Sequence, residues 1–157
     1  MTSKNSNIDN KLDAIALLKA DHEKVSELFS EYEKTDSKTK KKSLVDEICT
    51  ELTVHAQIEE EIFYPAVKAV LKDDFIVVEG AVEHLGIKNL IDQLEGIEPG
   101  GDVYDAKVKV LSEYVEHHVE EEQSDMFPKA KKAPSLDLVE LGDRMAARKA
   151  DLLSTRA

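Results

Sequence analysis

The sequence predicts an all-α protein, an up-and-down antiparallel four-helix bundle with an additional short C-terminal helix. Three observations point there. Four long segments repeat apolar residues three and four apart, the period of a helix with one buried face. Glycine and proline number only 6 and 4, too few for the turns of an all-β fold. The links between segments are short and polar, and short links make successive helices antiparallel neighbours. The length of 157 residues suits one domain, 1–157, with the bundle over 10–132 and the C-terminal helix over 135–153.

The first segment carries Leu12, Ile15, Leu18, Val25, Phe29 and Tyr32 on one face. A polar link, KTDSKTKKKS at 34–43, leads into the second, and its lysines read as a solvated helix start. The second segment repeats Leu44, Ile48, Leu52, Ile62 and Phe63; Pro65 falls inside its pattern, so a kink is expected there. Asp73 and Asp74 open the third, acidic residues at the positive end of the helix dipole. It carries Val77, Ala81, Ile87, Ile91 and Leu94 and stops at GIEPGG, 96–101. The fourth holds Val108, Leu111, Val115 and Met126, with Pro128 and Pro134 expected to close it. Leu138, Leu141, Met145 and Leu152 mark the C-terminal helix.

Composition narrows the function. A formal charge of −12 argues against nucleic acid and anionic membranes, both polyanions. The single Cys49 makes neither an internal disulfide nor a cysteine-based zinc site, and is expected to pack as a small buried residue. The N-terminal MTSKNSNIDN is too polar for a signal peptide, and no apolar run approaches the ~20 residues of a membrane span. A cytoplasmic protein without a membrane partner is expected.

The histidines carry the chemistry. HAQIEEEIFYP at 55–65 and HVEEEQSDMFP at 118–128 share a histidine, a glutamate four on and a proline ten on. DHEKVSELF at 21–29 likewise matches EHLGIKNLI at 83–91, so the chain reads as two similar helical hairpins. His22, His55, His84 and His118 each interrupt an apolar stripe near the middle of a helix, and antiparallel packing brings four such positions to one height. Glu59 and Glu122 extend the same faces by one turn. A lone core histidine is usually hydrogen-bonded structure, but four at one height with two carboxylates are not. A buried carboxylate is strongly unfavourable unless paired or metal-bound. Imidazole with carboxylate suits iron, manganese or zinc. Six ligands exceed one tetrahedral zinc, and two carboxylates able to bridge favour a dinuclear centre of iron.

EHHVEEE at 116–122 offers two registers, His117 with Glu121 or His118 with Glu122. The stripe of Leu111 and Val115 continues into the second pair, leaving His117 at the surface or behind a ligand. Glu60, Glu61, Glu120 and Glu121 read as exposed acidic faces. There is no GxSxG, P-loop or HExxH, and no histidine follows a glutamate by three, the ferritin-like pattern.

DH at 21–22, HAQIEE at 55–60, EH at 83–84 and HHVEEE…FP at 117–128 resemble the hemerythrin-like family, the HHE cation-binding domains. The resemblance spans 12–132. It implies a four-helix bundle holding two iron ions in a non-haem, oxo- or hydroxo-bridged centre. By position, His22, His55, His84 and His118 would bind iron through imidazole nitrogen, and Glu59 and Glu122 would bridge. Members bind dioxygen, and some handle nitric oxide, iron or redox stress. The expected function is thus binding of dioxygen or a related small ligand (nitric oxide, peroxide) for sensing, storage or stress defence, with a protein partner if it signals. A di-iron oxidase or peroxidase, or an iron store, is the alternative. One departure stands out: Lys88 lies where oxygen-carrying hemerythrins place a further histidine, so one position on iron is left to solvent or another group.

Overall fold

A computed structural model describes residues 12–156, so the polar N-terminal stretch MTSKNSNIDN lies outside the described residues. Helix α1, Ala14–Lys34, starts where the Asp13 carboxylate accepts the Ala16 N–H at 2.8 Å. Ser37 caps α2, Lys38–Ile58, in the same way, so the lysine run does open a helix. From α2 the chain passes through a widened turn, Glu59–Phe63, into α3, Tyr64–Val70. Helix α4, Phe75–Glu95, follows Asp74. Gly101, at φ 85, takes the left-handed conformation open to glycine and starts α5, Asp102–Glu121. A second widened turn, Glu122–Met126, joins α5 to α6, Phe127–Lys132. Helix α7, Leu138–Arg156, is last. The fold is all-α: α1, α2–α3, α4 and α5–α6 form a four-helix bundle, and α7 packs outside it on α1 and α2.

The two widened turns have one cause. A proline inside a helix lacks an N–H, and its ring meets the carbonyl four residues back. Ahead of Pro65 the Tyr64 N–H donates to the Glu59 carbonyl, and ahead of Pro128 the Phe127 N–H donates to that of Glu122. Both bonds reach back five residues, the π-helical pattern, and the extra residue makes room for the ring. Pro65 thus marks an irregularity within the helix, which continues to Val70, and not its end. Pro128 was expected to close its helix and does not; the helix runs through it to Lys132, ahead of Pro134. The C-terminal helix spans 138–156, three residues later than expected at each end, because the Asp137 side chain caps it by accepting the Glu140 N–H.

The core is split. One apolar cluster holds Val25, Phe29, Leu44, Ile48, Ile91, Tyr104 and Leu111, with the buried Cys49. The other holds Ile15, Leu18, Ile58, Phe63, Val67, Met126 and Phe127, with Leu141 and Met145 of α7. Along every bundle helix the histidines fall between the two, so a polar layer crosses the middle of the bundle.

Helix α7 approaches α1 so closely that only glycine fits at 142. A methyl group there would press on the Leu12 carbonyl oxygen and lie 2.8 Å from the Asp13 carbonyl carbon and 2.9 Å from the Ala14 nitrogen. Backbone cannot give way as a side chain can, so Gly142→Ala should lower stability by about 1–3 kcal/mol. Urea unfolding followed by circular dichroism measures this; an unchanged midpoint would mean that α7 is free to slide.

Candidate metal centre

The structure brings all six sequence-selected residues together. His22 comes from α1, His55 from α2, Glu59 from the first widened turn, His84 from α4, His118 from α5 and Glu122 from the second turn. They form two overlapping groups whose ligand atoms lie within 4.8 Å of one another: His22, His55, Glu59 and Glu122, and Glu59, His84, His118 and Glu122. Both glutamates belong to both groups, and each gives one oxygen to either side. Glu59 Oε2 lies 3.5 Å from His55 Nε2, while its Oε1 lies 3.0 Å from His84 Nε2. Glu122 Oε1 lies 3.2 Å from His22 Nε2, and its Oε2 lies 3.2 Å from His118 Nε2. Two carboxylates spanning two histidine pairs make a bridging arrangement.

The outer nitrogens orient the rings. His22 Nδ1 donates to Gln123 Oε1 at 2.9 Å and His55 Nδ1 to Asp21 Oδ2 at 2.9 Å. His84 Nδ1 donates to Glu60 Oε2 at 2.6 Å, and His118 Nδ1 to Glu83 Oε1 at 2.5 Å. Carboxylate and amide oxygens only accept, so each Nδ1 carries a hydrogen and donates outward, and each Nε2 faces the two carboxylates of the centre. Glu60 is therefore not the bare acidic surface that the sequence suggested, because it steers His84. Glu61 is tied to α7 through Arg148.

Charge in this layer is balanced internally. Burial alone would push His55 toward its neutral form, but Glu59 and the hydrogen bond to Asp21 override that and raise its pKa to about 10. Burial opposes His118 likewise, yet Glu122 and Glu59 raise it to about 11. Burial works against an ionised Glu59, and His55 with the other two imidazoles still holds it well below the usual carboxylate range.

A metal fits the atoms present. Four of the buried side-chain atoms without a hydrogen-bond partner are His22 Nε2, His55 Nε2, Glu59 Oε2 and Glu122 Oε1, the complete inward-facing set of one group. Leaving such atoms unpaired costs roughly 1–3 kcal/mol each, and a divalent cation would satisfy all four.

Tyr64 was not among the sequence-selected residues. The widened turn places it five residues after Glu59 yet on the same side, stacked on His84 with ring centres 5.4 Å apart. Its hydroxyl donates to Glu122 Oε2 at 2.6 Å and lies 3.4 Å from His84 Nε2 and 3.3 Å from His118 Nε2. Gly80 makes room for it, since a methyl there would come within 2.8 Å of Tyr64 Oη. Burial, then Glu59 and Glu122, raise its pKa, so the phenol keeps its proton. Sixty-three residues on, the matching position is Phe127, which stacks on His22 and has no hydroxyl. That one-atom difference between aligned repeats was the available sequence signal. Lys88 is exposed and stays out of the centre. His117 is exposed as well, beside Glu83 and Glu121, and the neighbouring Glu83 carboxylate holds the Glu121 carboxyl above its ordinary value.

A four-helix bundle with two histidine pairs bridged by two glutamates is the architecture of a carboxylate-bridged dinuclear metal protein. Residues 13–130 match the model of the hemerythrin HHE cation binding domain, and the chain belongs to that family. A crystal structure of a hemerythrin HHE cation binding domain-containing protein, the Rv2633c homolog from Mycobacterium kansasii, superposes with a TM-score of 0.76 at 26% identity, over 92% of this chain and 89% of that one. Rv2633c of Mycobacterium tuberculosis is 34% identical over 113 residues, 67% of this chain and 65% of that protein. A protein of Nostoc named DNA nickase is 30% identical over 116 residues, 71% of this chain but 31% of that protein. The chain thus spans 65% of the Mycobacterium tuberculosis relative's length and 31% of the Nostoc relative's.

Two outcomes follow from this geometry. His118→Ala should halve or abolish iron content, whereas His117→Ala should keep it, as counted by iron analysis after purification with iron supplied; the reverse result would move the centre to His117 and Glu121. Metal uptake should also depend on pH. Without metal, the raised histidine pKa values add stability that is fully present below about 6.5 and lost as pH rises through about 10 for His55 and 11 for His118. Metal needs Nε2 free of its proton, so binding should release protons and tighten from pH 6 to 9. Calorimetry in buffers of different ionisation heat measures the release, and pH-independent affinity would contradict it.

Proposed function

We propose that this chain is a non-haem di-iron protein that binds dioxygen or a related small ligand, nitric oxide or peroxide, in oxygen or redox sensing, storage or stress defence. The observation that carries this reading is the sharing of both Glu59 and Glu122 between two histidine pairs. His22 and His55 would hold one iron, His84 and His118 the other, with both glutamates bridging. Two irons so held supply two-electron redox chemistry and a coordination position open to a small ligand.

The chain's own residues shape that position. The apolar clusters on either side keep bulk water from the polar layer. Lys88 brings no donor, so the histidine pair of α4 and α5 has one protein ligand fewer than in an oxygen carrier. Tyr64 Oη stands in that space as a hydrogen-bond donor, now directed at Glu122 and able to turn toward a ligand beside His84. A cleft of about 680 Å³ between α3 and α4, walled by Val77, Ala81 and Pro65, leads from the surface to Tyr64 and His84. It offers a mostly apolar path for a small uncharged ligand. No helix among the described residues is long and apolar enough to cross a membrane. The Nostoc protein's name brings no DNA chemistry to this reading, because the shared stretch is 31% of that protein and this chain carries a charge of −12.

Iron-supplied preparations should hold close to two irons per chain, and the oxidised protein should take up azide with a new charge-transfer band. Reduced protein mixed with oxygen should give a stoichiometric spectral change; sustained oxygen or peroxide consumption would instead assign an oxidase or peroxidase, and iron well beyond two per chain a store. Tyr64→Phe should keep both irons while speeding ligand release about tenfold, the effect of losing one hydrogen bond to a charged group. Unchanged release in stopped-flow would place the ligand away from Tyr64.

A further inference from the structure

Outside the buried set, Glu83, His117 and Glu121 each offer a ligand atom within 4.8 Å of the others. The internal repeat shows what this surface group lacks. Asp21 in the first hairpin and Glu83 in the second occupy matching places, each just before a histidine of the centre. Each carboxylate uses one oxygen to hold the histidine of the neighbouring helix, Asp21 for His55 and Glu83 for His118. The other oxygen is treated differently. Asp21 Oδ1 accepts a hydrogen bond from Lys149 of α7 at 2.6 Å, so a fixed cation neutralises it. Among the described residues no lysine pairs with Glu83. Its Oε2 lies 3.5 Å from His117 Nε2, and the same nitrogen lies 3.3 Å from Glu121 Oε2.

The aligned positions explain why a site can exist on one side only. His117 and Glu121 correspond to Val54 and Ile58, which are 2% and 0% exposed on the helix that α7 packs against. The second hairpin has no such cover among the described residues, and these positions carry an imidazole and a carboxylate four apart on one helix face. Two carboxylates are drawn together around one imidazole, in a place where the other half of the molecule puts an ammonium group.

We propose that Glu83, His117 and Glu121 form a third metal site, at the surface, which takes a labile divalent transition cation. One imidazole with two carboxylates and room for water suits Zn²⁺, Mn²⁺ or Fe²⁺, and the nitrogen disfavours Mg²⁺ and Ca²⁺. The cation does for Glu83 what Lys149 does for Asp21. It neutralises the outer oxygen and steadies the carboxylate that orients His118, so a surface metal is linked to the buried centre through a single side chain.

The test is a calorimetric titration of the iron-loaded full chain with Zn²⁺, with iron and zinc counted at equilibrium dialysis. The expected result is one added zinc per chain with iron retained. His117→Ala and Glu121→Gln, neither of which belongs to the buried set, should each weaken zinc binding by at least about tenfold and leave iron content unchanged. Zinc replacing iron one for one with no gain in total metal, or binding that both variants leave intact, overturns the proposal. Uptake at this surface does not require iron in the centre, so zinc binding by a chain without two irons would fail the di-iron reading alone.

Discussion

Two buried carboxylates at the middle of a helical bundle are the constraint on which the rest of this structure depends. Glu59 and Glu122 are 0% and 1% exposed, and isolated charges at such depth would cost several kcal/mol each. Everything in the layer answers that cost. Four imidazoles converge on the two carboxylates, four outer acceptors hold the imidazoles, and the apolar core divides into two clusters to leave the layer space. Internal proton sharing answers it only in part, because the inward atoms of His22, His55, Glu59 and Glu122 remain without hydrogen-bond partners. A bound cation would complete what the protein leaves open.

The prolines have a constructive part in this. Each forces a helix to widen, and each widening begins at a bridging glutamate. A regular α-helix would carry Tyr64 and Phe127 around and away from the centre, whereas the longer turn returns them to it. The repeat then diverges at one atom. Phe127 gives His22 a dry stacking partner, and Tyr64 gives the His84 side the same ring with a hydrogen-bond donor. The two halves of a nearly symmetric centre therefore differ in polarity, and the cleft between α3 and α4 opens on the His84 half.

Helix α7 adds a second asymmetry from outside. It covers the first hairpin, shares an apolar cluster with Ile58 and supplies Lys149 to Asp21, while Arg148 ties Glu61. The equivalent face of the second hairpin stays exposed and polar. A helix outside the bundle thus sets the electrostatics behind one histidine of the centre and leaves those behind its counterpart exposed to solvent.

The sequence by itself determined the bundle and the polar layer. Apolar residues at helical spacing, histidines that break each stripe once and a repeat of two matching hairpins are local patterns, and local patterns fix which face of a helix is buried. That was enough to bring His22, His55, Glu59, His84, His118 and Glu122 together. It was not enough for the π turns, because Pro128 reads equally as a stop or a kink until neighbouring helices hold the chain through it. Nor was it enough for Tyr64, whose approach depends on a widened turn and on space at Gly80, sixteen residues on in a different helix. Glu60, Glu83 and Lys149 look like ordinary surface charges in sequence. Their partners lie 24, 35 and 128 residues away, and hydrogen bonds over such separations exist only once packing has chosen which helices meet.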